Sequence, residues 1–304
     1  MIDKLEFLLA LAREKHFGRA AESCGVTQPT LSAGVKQLED NLGVLLVNRG
    51  SRFQGFTNEG ERVLDWARRI VGDTRAMRDE VRALKRGDLV GHLRIAVIPT
   101  ALAMVSALTT PYRAKHPGVR FTILSRTSID TLRQLENLEV DAGITYLDNE
   151  PLGRVRTVPL YSEAYCLLTA AESPLGDRER VTWDEVGRVP LCLLTPDMQN
   201  RRIIDGLLSQ AGHEHLAPTL ESNSMIVLFS HIRTRQWATV MPIRLAETLG
   251  LDEVTRAIPI VEPSAIHTIG LVVPNREVTS PLAAALIAEA LEVAKTLNDG
   301  NPAI

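Results

Sequence analysis

Leu5, Leu8, Leu9 and Ala12 recur at helical spacing over 2–15, and a break at His16-Phe17-Gly18 ends this first helix. Ala20, Ala21 and Cys24 follow at three- and four-residue steps, small enough for a short helix to pack closely on another. Gly25 closes it, since glycine takes the left-handed conformation of a sharp turn, and Thr27 is placed to cap the next helix. Pro29 suits that helix's first turn, whose amides lack partners in any case. Its stripe of Leu31, Val35, Leu38 and Leu42 is expected to face a core, leaving Gln28, Thr30, Ser32, Ala33, Lys36 and Gln37 outside. Over 45–57 two short β-like runs flank the Gly50-Ser51 turn, a hairpin carrying Arg49 and Arg52.

From Thr57, an N-cap followed by Glu59 and Glu61, a long helical pattern runs to Lys85-Arg86 and stops at Gly87. Val63, Ala67, Ile70, Thr74, Met77, Val81 and Leu84 alternate steps of four and three, a period of 3.5 that favours a coiled coil and hence a dimer. The plainer alternative is a helix packed within one chain. Beyond Gly91 the pattern alternates: strands at 93–98, 120–124 and 142–145, with helices at 101–115 and 129–138 between them. Strands at 165–169, 191–194 and 238–241, a helix at 201–210, then a last strand at 269–273 and helix at 282–297 complete it. Repeated βα units predict a mostly parallel sheet.

Composition narrows the function. At 304 residues with 45% apolar content the chain can build two or three domains. No apolar run approaches the roughly 20 residues of a membrane span, and the N-terminus lacks an export pattern, so a cytoplasmic protein is expected. Cys24, Cys166 and Cys192 are too few and too scattered for a disulfide framework or a zinc site, and the latter two sit in apolar runs as inert thiols. His213 and His215 read as solvated loop residues, so no metal is expected. The formal charge of −3 gives no general affinity for polyanions, and residues 1–90 are only slightly basic. Position is more telling. A helix that enters a major groove needs short polar groups at its N-terminus, since long ones hold the backbone away from the base edges. Thr27, Gln28, Pro29, Thr30 and Ser32 supply them, Lys36 is placed for a phosphate, and Arg49 and Arg52 extend the surface from the hairpin. An ordinary αα-hairpin with a wet polar face is the alternative.

Residues 18–60, GRAAESCGVTQPTLSAGVKQLEDNLGVLLVNRGSRFQGFTNEG, resemble the winged helix-turn-helix domain of the LysR-type transcriptional regulators. The likeness covers the alanine pair, Thr27-Gln28-Pro29, Ser32, the Leu-Glu-x-x-Leu-Gly run at 38–43 and the Thr-x-x-Gly run at 57–60. One departure is Ala33-Gly34, where the family commonly has a long polar or basic residue after the serine. The resemblance implies an α/β protein with an N-terminal all-α winged helix-turn-helix domain (1–58), a long linker helix for dimerisation (59–87) and a two-lobed, periplasmic-binding-protein-like (type 2) effector domain (91–304). Lobe I would take about 91–161 and 268–304, and lobe II about 162–267. It also implies double-stranded promoter or operator DNA as a partner, a homodimer that can pair into a homotetramer, and RNA polymerase as a candidate contact.

In open α/β sheets ligands sit beyond the carboxyl ends of strands, where helix N-termini present free amides. By position the effector candidates are Thr100, Ser125, Arg126, Thr127, Ser128, Thr145, Thr195, Pro196 and Gln199. Converging hydroxyls and amides suit a small anion, and Arg126 could pair with a carboxylate, although each Ser or Thr there could simply cap a helix. None of these candidates is an aromatic platform, which points to a one- or two-carbon carboxylate such as formate. The competing class is a binding protein or enzyme on the same scaffold. No P-loop, G-x-G-x-x-G, H-E-x-x-H or G-x-S-x-G run occurs, so no catalytic residue or cofactor is expected.

Overall fold

A computed structural model describes residues 1–48, 50, 53–86 and 88–299. The chain divides into two compact units: Met1–Gly91 with Glu136–Glu139 and Arg276–Ala284, and His92–Leu135 with Val140–Asn275 and the chain from Ala285 onward.

The first unit holds α1 (Ile2–Glu14), α2 (Phe17–Ser23), α3 (Gln28–Leu42) and the 29-residue α4 (Asn58–Arg86). Leu5, Leu8, Leu11, Ala20, Ala21, Leu31, Val35 and Leu38 interlock as its core. Leu42 does not join them: it is 44% exposed, because α3 ends there at Gly43 (φ 71°) and its last turn overhangs the packed face. Among the described residues the hairpin shows one antiparallel bridge, Val47 with Phe56, over an edge-on Phe17–Phe53–Phe56 cluster. Arg49, Arg52 and Gly87 lie outside the described residues.

Two close approaches explain glycines that the sequence motif leaves unexplained. At Gly34, buried in α3, a Cβ would stand 2.6 Å from the Phe7 ring of α1, so the missing side chain lets the helices touch. At Gly60, in the first turn of α4, a Cβ would run into the backbone carbonyl of Leu46. Thr57 fixes that junction: its hydroxyl donates to the Leu45 carbonyl (2.6 Å) and accepts from the Gly60 amide (2.9 Å), while its own amide donates to Leu46 O.

The second unit contains β1 (Val90–Val97, whose first residues belong to the other unit), a 3-10 turn (Pro99–Met104), α5 (Val105–Lys115), β2 (Gly118–Ser125), α6 (Ser128–Glu136) and β3 (Ala142–Tyr146). The 16-residue β4 (Val155–Ala170) follows, then β5 (Val181–Thr182), α7 (Trp183–Val186), β6 (Cys192–Leu194), α8 (Gln199–Gln210) and β7 (Leu220–Ser222). The unit closes with α9 (Met225–Ile232), β8 (Thr239–Pro242), α10 (Ile243–Leu249), β9 (Thr255–Val261), β10 (Ile266–Pro274) and α11 (Pro281–Asp299, whose residues up to Ala284 belong to the other unit). The sheet order is β2-β1-β3-β10-β4-β9-β5, with β8 also on β4 and a separate β6-β7 pair.

The sheet is mixed, which corrects the expectation of a mostly parallel one. β1–β3, β5–β9 and β6–β7 are parallel, but β10 runs antiparallel to β3 and β4, and β4 antiparallel to β8 and β9. The reason is that β4 and β10 are long return strands, and a strand that returns through a sheet opposes its neighbours. The 165–169 run is only the end of β4: upstream, Arg156, Thr157 and Pro159 break the apolar pattern of a strand whose pairing partners decide its extent.

Gly60→Ala is expected to destabilise the first unit by roughly 1–3 kcal/mol, since the new methyl group must displace backbone. Urea unfolding followed by circular dichroism would measure it.

Candidate functional site

In the first unit the surface is built by caps. The His16 ring accepts from the Gly18 and Arg19 amides and starts α2. The Thr27 hydroxyl accepts from the Thr30 amide and starts α3. Gly25, at φ 68°, turns the chain between them. Gln28, Pro29, Thr30, Ser32 and Lys36 are all exposed along the N-terminal half of α3, with Thr27 at its cap. Thr30 is not wholly free, because its hydroxyl shares a 2.9 Å hydrogen bond with that of Thr27. Glu39 ties the bridge back to α3 by accepting from the Leu46 and Val47 amides (2.7 and 3.1 Å).

The α4 stripe splits. Ile70, Met77, Val81 and Leu84 are exposed, Leu84 by 79%, and Thr74 turns its hydroxyl onto the Ile70 carbonyl. Ala67 is the correction: it is fully buried with Leu64 and Val71 in the unit's own core, against which Val63 also packs, so its methyl group is already used. The neighbouring Trp66 is 60% exposed, with Arg69 stacked 5.2 Å from its ring centre.

In the second unit the 3-10 turn, α6 and α8 all begin beside one small cavity of about 10 Å³. Thr100, Thr127, Ser128 and Gln199, four of the positions chosen from sequence, meet there, together with Tyr146 and Asn200. Its polar groups are conspicuously underused: Thr100 Oγ1, Ser128 Oγ and Asn200 Oδ1 are buried without partners. The other two have employment, Thr127 as cap for the Asp130 amide (3.0 Å) and Gln199 donating to the Asp148 carbonyl (3.1 Å). Helix N-termini with free hydroxyls and no lining acid make a site for a small negative or strongly accepting group.

The remaining positions fall elsewhere. Ser125 and Arg126 line an adjoining open cavity of about 780 Å³, which shares Pro99, Thr127 and Met198 with the small one; the Arg126 guanidinium is bound to the Ser125 carbonyl. Thr145 is fully buried but lines neither cavity, because strand alternation presents its neighbour Tyr146 instead. Thr195 and Pro196 also line neither. Tyr146 overturns the premise that the cleft lacks an aromatic group. Alternation on a strand already chosen could have found it, whereas Asn200 stood one residue from Gln199 with no signal of its own.

Residues 2–61 match the family model described as bacterial regulatory helix-turn-helix protein, lysR family, and residues 86–295 match that of the LysR substrate binding domain. The chain belongs to the LysR family. It is a DNA-binding transcriptional regulator with an effector-binding domain, and not an enzyme. Among its relatives, the hydrogen peroxide-inducible genes activator of Haemophilus influenzae is 28% identical over 273 residues, 89% of each chain. The activator of that name from Pectobacterium carotovorum is 32% identical over 69% of this chain and 70% of its own. Among solved structures, a cysteine-to-aspartate variant of full-length OxyR from Pseudomonas aeruginosa aligns with a TM-score of 0.74, 25% identity and 99% coverage of both chains.

In this LysR chain the thiols of the effector domain are closed in. Burial pushes Cys166 up to about 12 and Cys192 up to about 11. Cys166 Sγ faces the Met241 carbonyl and Cys192 Sγ that of Ala238. His213, expected in solvent, is half-buried on Asp184, and among the described residues no group of three or more His, Cys, Asp or Glu is placed to hold a metal ion. No described helix is long and apolar enough to cross a membrane.

Behind Tyr146 lies a group the sequence did not disclose. Glu163, 2% exposed in the middle of β4, accepts from the Tyr146 hydroxyl at 2.5 Å, and its second oxygen has no partner. Asn200 Nδ2 donates to the same tyrosine oxygen (3.2 Å). Burial pushes the Glu163 carboxyl up to about 8, the Tyr146 hydrogen bond opposing and the Asp148 charge adding to the rise.

The folded chain thus keeps the Glu163 proton to about pH 8, whereas an ordinary carboxyl near 4.5 loses it. Unfolding releases this proton between those values, so the group makes stability fall as pH rises from about 4.5 to about 8. Glu163→Gln should flatten that part of the profile, as measured by urea unfolding across the window.

Proposed function

We propose that this LysR regulator reads promoter DNA with the N-terminal half of α3 and responds to a small anion held where the 3-10 turn, α6 and α8 begin. The division into a DNA-binding domain (1–58), linker helix (59–87) and effector domain from 91, with its two lobes, belongs to this reading, as does a cytoplasmic location. Gln28, Pro29, Thr30 and Ser32 present short groups to the base edges, with Thr27 setting the helix start, while Lys36 and the hairpin arginines Arg49 and Arg52 meet phosphates. Two such domains are joined through α4, where Trp66, Ile70, Met77, Val81 and Leu84 offer an exposed apolar row, and dimers pair into tetramers. Effector binding changes the arrangement of the lobes and so the spacing or angle of the paired domains, to the extent that it binds one arrangement more tightly. RNA polymerase is the contact through which a changed geometry would act.

The observation that carries the effector reading is the pair of buried, unpartnered hydroxyls, Thr100 Oγ1 and Ser128 Oγ, around a space of about 10 Å³. That is roughly the room of one water molecule, so a one- or two-carbon carboxylate such as formate fits after a small expansion, whereas the body of a larger acid would have to lie in the adjoining open cavity. Peroxide chemistry, which the names of the relatives suggest, has no such support: it needs an accessible thiolate, and burial holds Cys166 and Cys192 as neutral thiols.

Lys36→Ala is expected to weaken binding to all DNA sequences and lower the slope of log K against log salt by about one. A gel-shift titration on the DNA flanking the gene, at two salt concentrations, measures it, and an unchanged slope removes Lys36 from the contacts. Ser128→Ala should weaken formate roughly tenfold, as befits one hydrogen bond to a charged group, while leaving the ligand-free protein as stable or slightly more so. Thermal-shift titrations with formate, acetate and benzoate test both; stabilisation by benzoate alone would sink the small-anion assignment.

A further inference from the structure

The Glu163 carboxyl has no part in holding the ligand as described so far, yet it touches the wall of the site. Tyr146 and Asn200 both line the small cavity, and the chain Asn200 Nδ2 to Tyr146 Oη to Glu163 Oε1 runs from that wall into the core through hydrogen bonds of 3.2 and 2.5 Å. A buried carboxylate two hydrogen bonds behind an anion repels it; a neutral carboxylic acid does not. Resting on the small-anion reading above, we propose that Glu163 is a positioning residue that admits the anion only when its carboxyl is protonated, so that binding takes up one proton wherever that carboxyl is ionised beforehand. The proton comes from solvent, forms an O–H bond on the Glu163 carboxyl as the anion arrives, and returns to solvent when it leaves. No other bond is made or broken. The anion and the carboxylate then never share the interior, and the regulator senses the anion more strongly in mildly acid than in alkaline conditions.

The surroundings favour a proton at this position. His267 of β10 is the direct cross-strand partner of Glu163, but its Nδ1 is turned to Asp148 Oδ1 (3.4 Å) and to the Asn149 amide, leaving no short contact to the glutamate. Asp148 itself adds negative charge. Tyr161 and Tyr165 flank it on β4, and the Arg244 guanidinium of α10 lies over the Tyr161 ring at 5.4 Å. Tyr146 supplies one hydrogen bond from β3. No cation among these described groups forms an ion pair with Glu163, so its second oxygen is left to desolvation alone.

Isothermal titration of the full-length protein with sodium formate and with sodium acetate, in pairs of buffers that differ in ionisation enthalpy, reads both affinity and proton uptake. The expected result is uptake approaching one proton above about pH 8, with Kd rising about tenfold per pH unit there and levelling off at lower pH. In Glu163→Gln the Kd should lose that dependence and the proton uptake should vanish. Binding by the unaltered protein above about pH 8 without proton uptake would overturn the proposal while leaving the small-anion site intact, and this arm does not depend on the variant folding. Uptake that persists unchanged in folded Glu163→Gln would move the proton to His267 or Asp148 and overturn it equally. Absence of binding by both anions at every pH would overturn the small-anion reading, and the proposal with it.

Discussion

The effector domain depends on one strand being shared. The first part of β4 pairs with β10, from Val155 to Ala164, and its last part pairs with β8 and β9, from Tyr165 to Ala170. Both halves of the mixed sheet therefore hang on a single run of backbone hydrogen bonds, and Glu163 sits where its partners change. Backbone pairing leaves no slack there: Gly270 of β10 has no room for a Cβ beside the Val158 carbonyl, and the register shifts between Ile269 and Gly270. A carboxyl placed at that crossing is buried by the geometry of the sheet, whatever its hydration costs. Its raised pKa follows from position before any neighbour is considered.

The DNA-binding unit solves a different problem, that of packing four helices tightly enough to hold one helix outward. Ala20, Ala21 and Gly34 remove side chains where α1, α2 and α3 cross, and Gly60 removes one where α4 passes the Leu46 carbonyl. Ala33-Gly34, which departs from the family pattern, thus has a packing cause at its second residue. Glu39 and Thr57 then bind backbone amides and carbonyls of the bridge, so the segment after α3 is tied at both ends. Polar residues here act on the backbone, and the exposed face of α3 is free to be short.

This difference decides what the sequence made legible. Helices of the first unit follow from local spacing and caps, and α1 to α4 stand within a residue or two of where periodicity places them. Leu42 and Ala67 defeat the same reasoning, because a periodic stripe says which residues share a face but not where the partner surface ends. In the second unit the alternation of strands and helices is visible, whereas α7, α9, α10 and β9 are too short or too apolar throughout to announce themselves. Strand direction is a tertiary property, so the antiparallel course of β4 and β10 could not be read from it. Four of the ten residues that line the small cavity were found by asking where strands end. Asn200 and Glu163 were missed because each enters through a contact with a residue distant in sequence, whereas Tyr146 lay within reach of strand alternation.

Native interiors rarely leave hydroxyls and amide oxygens unpaired, since each costs about 1–3 kcal/mol. The Thr100 and Ser128 hydroxyls both do so around one space, and both can donate to an anion there. A ligand that satisfies them recovers that cost, and its binding strength then comes chiefly from unpaired atoms already in place. Such a site need not be large or carry a full charge of its own. It does need its surroundings to be neutral when the anion is present, and the only fully buried acid touching the wall of this cavity, among the described residues, is the one whose position in the sheet already favours the protonated form. Fold and site are linked through that coincidence: the strand that joins the two halves of the domain also sets the charge behind the ligand.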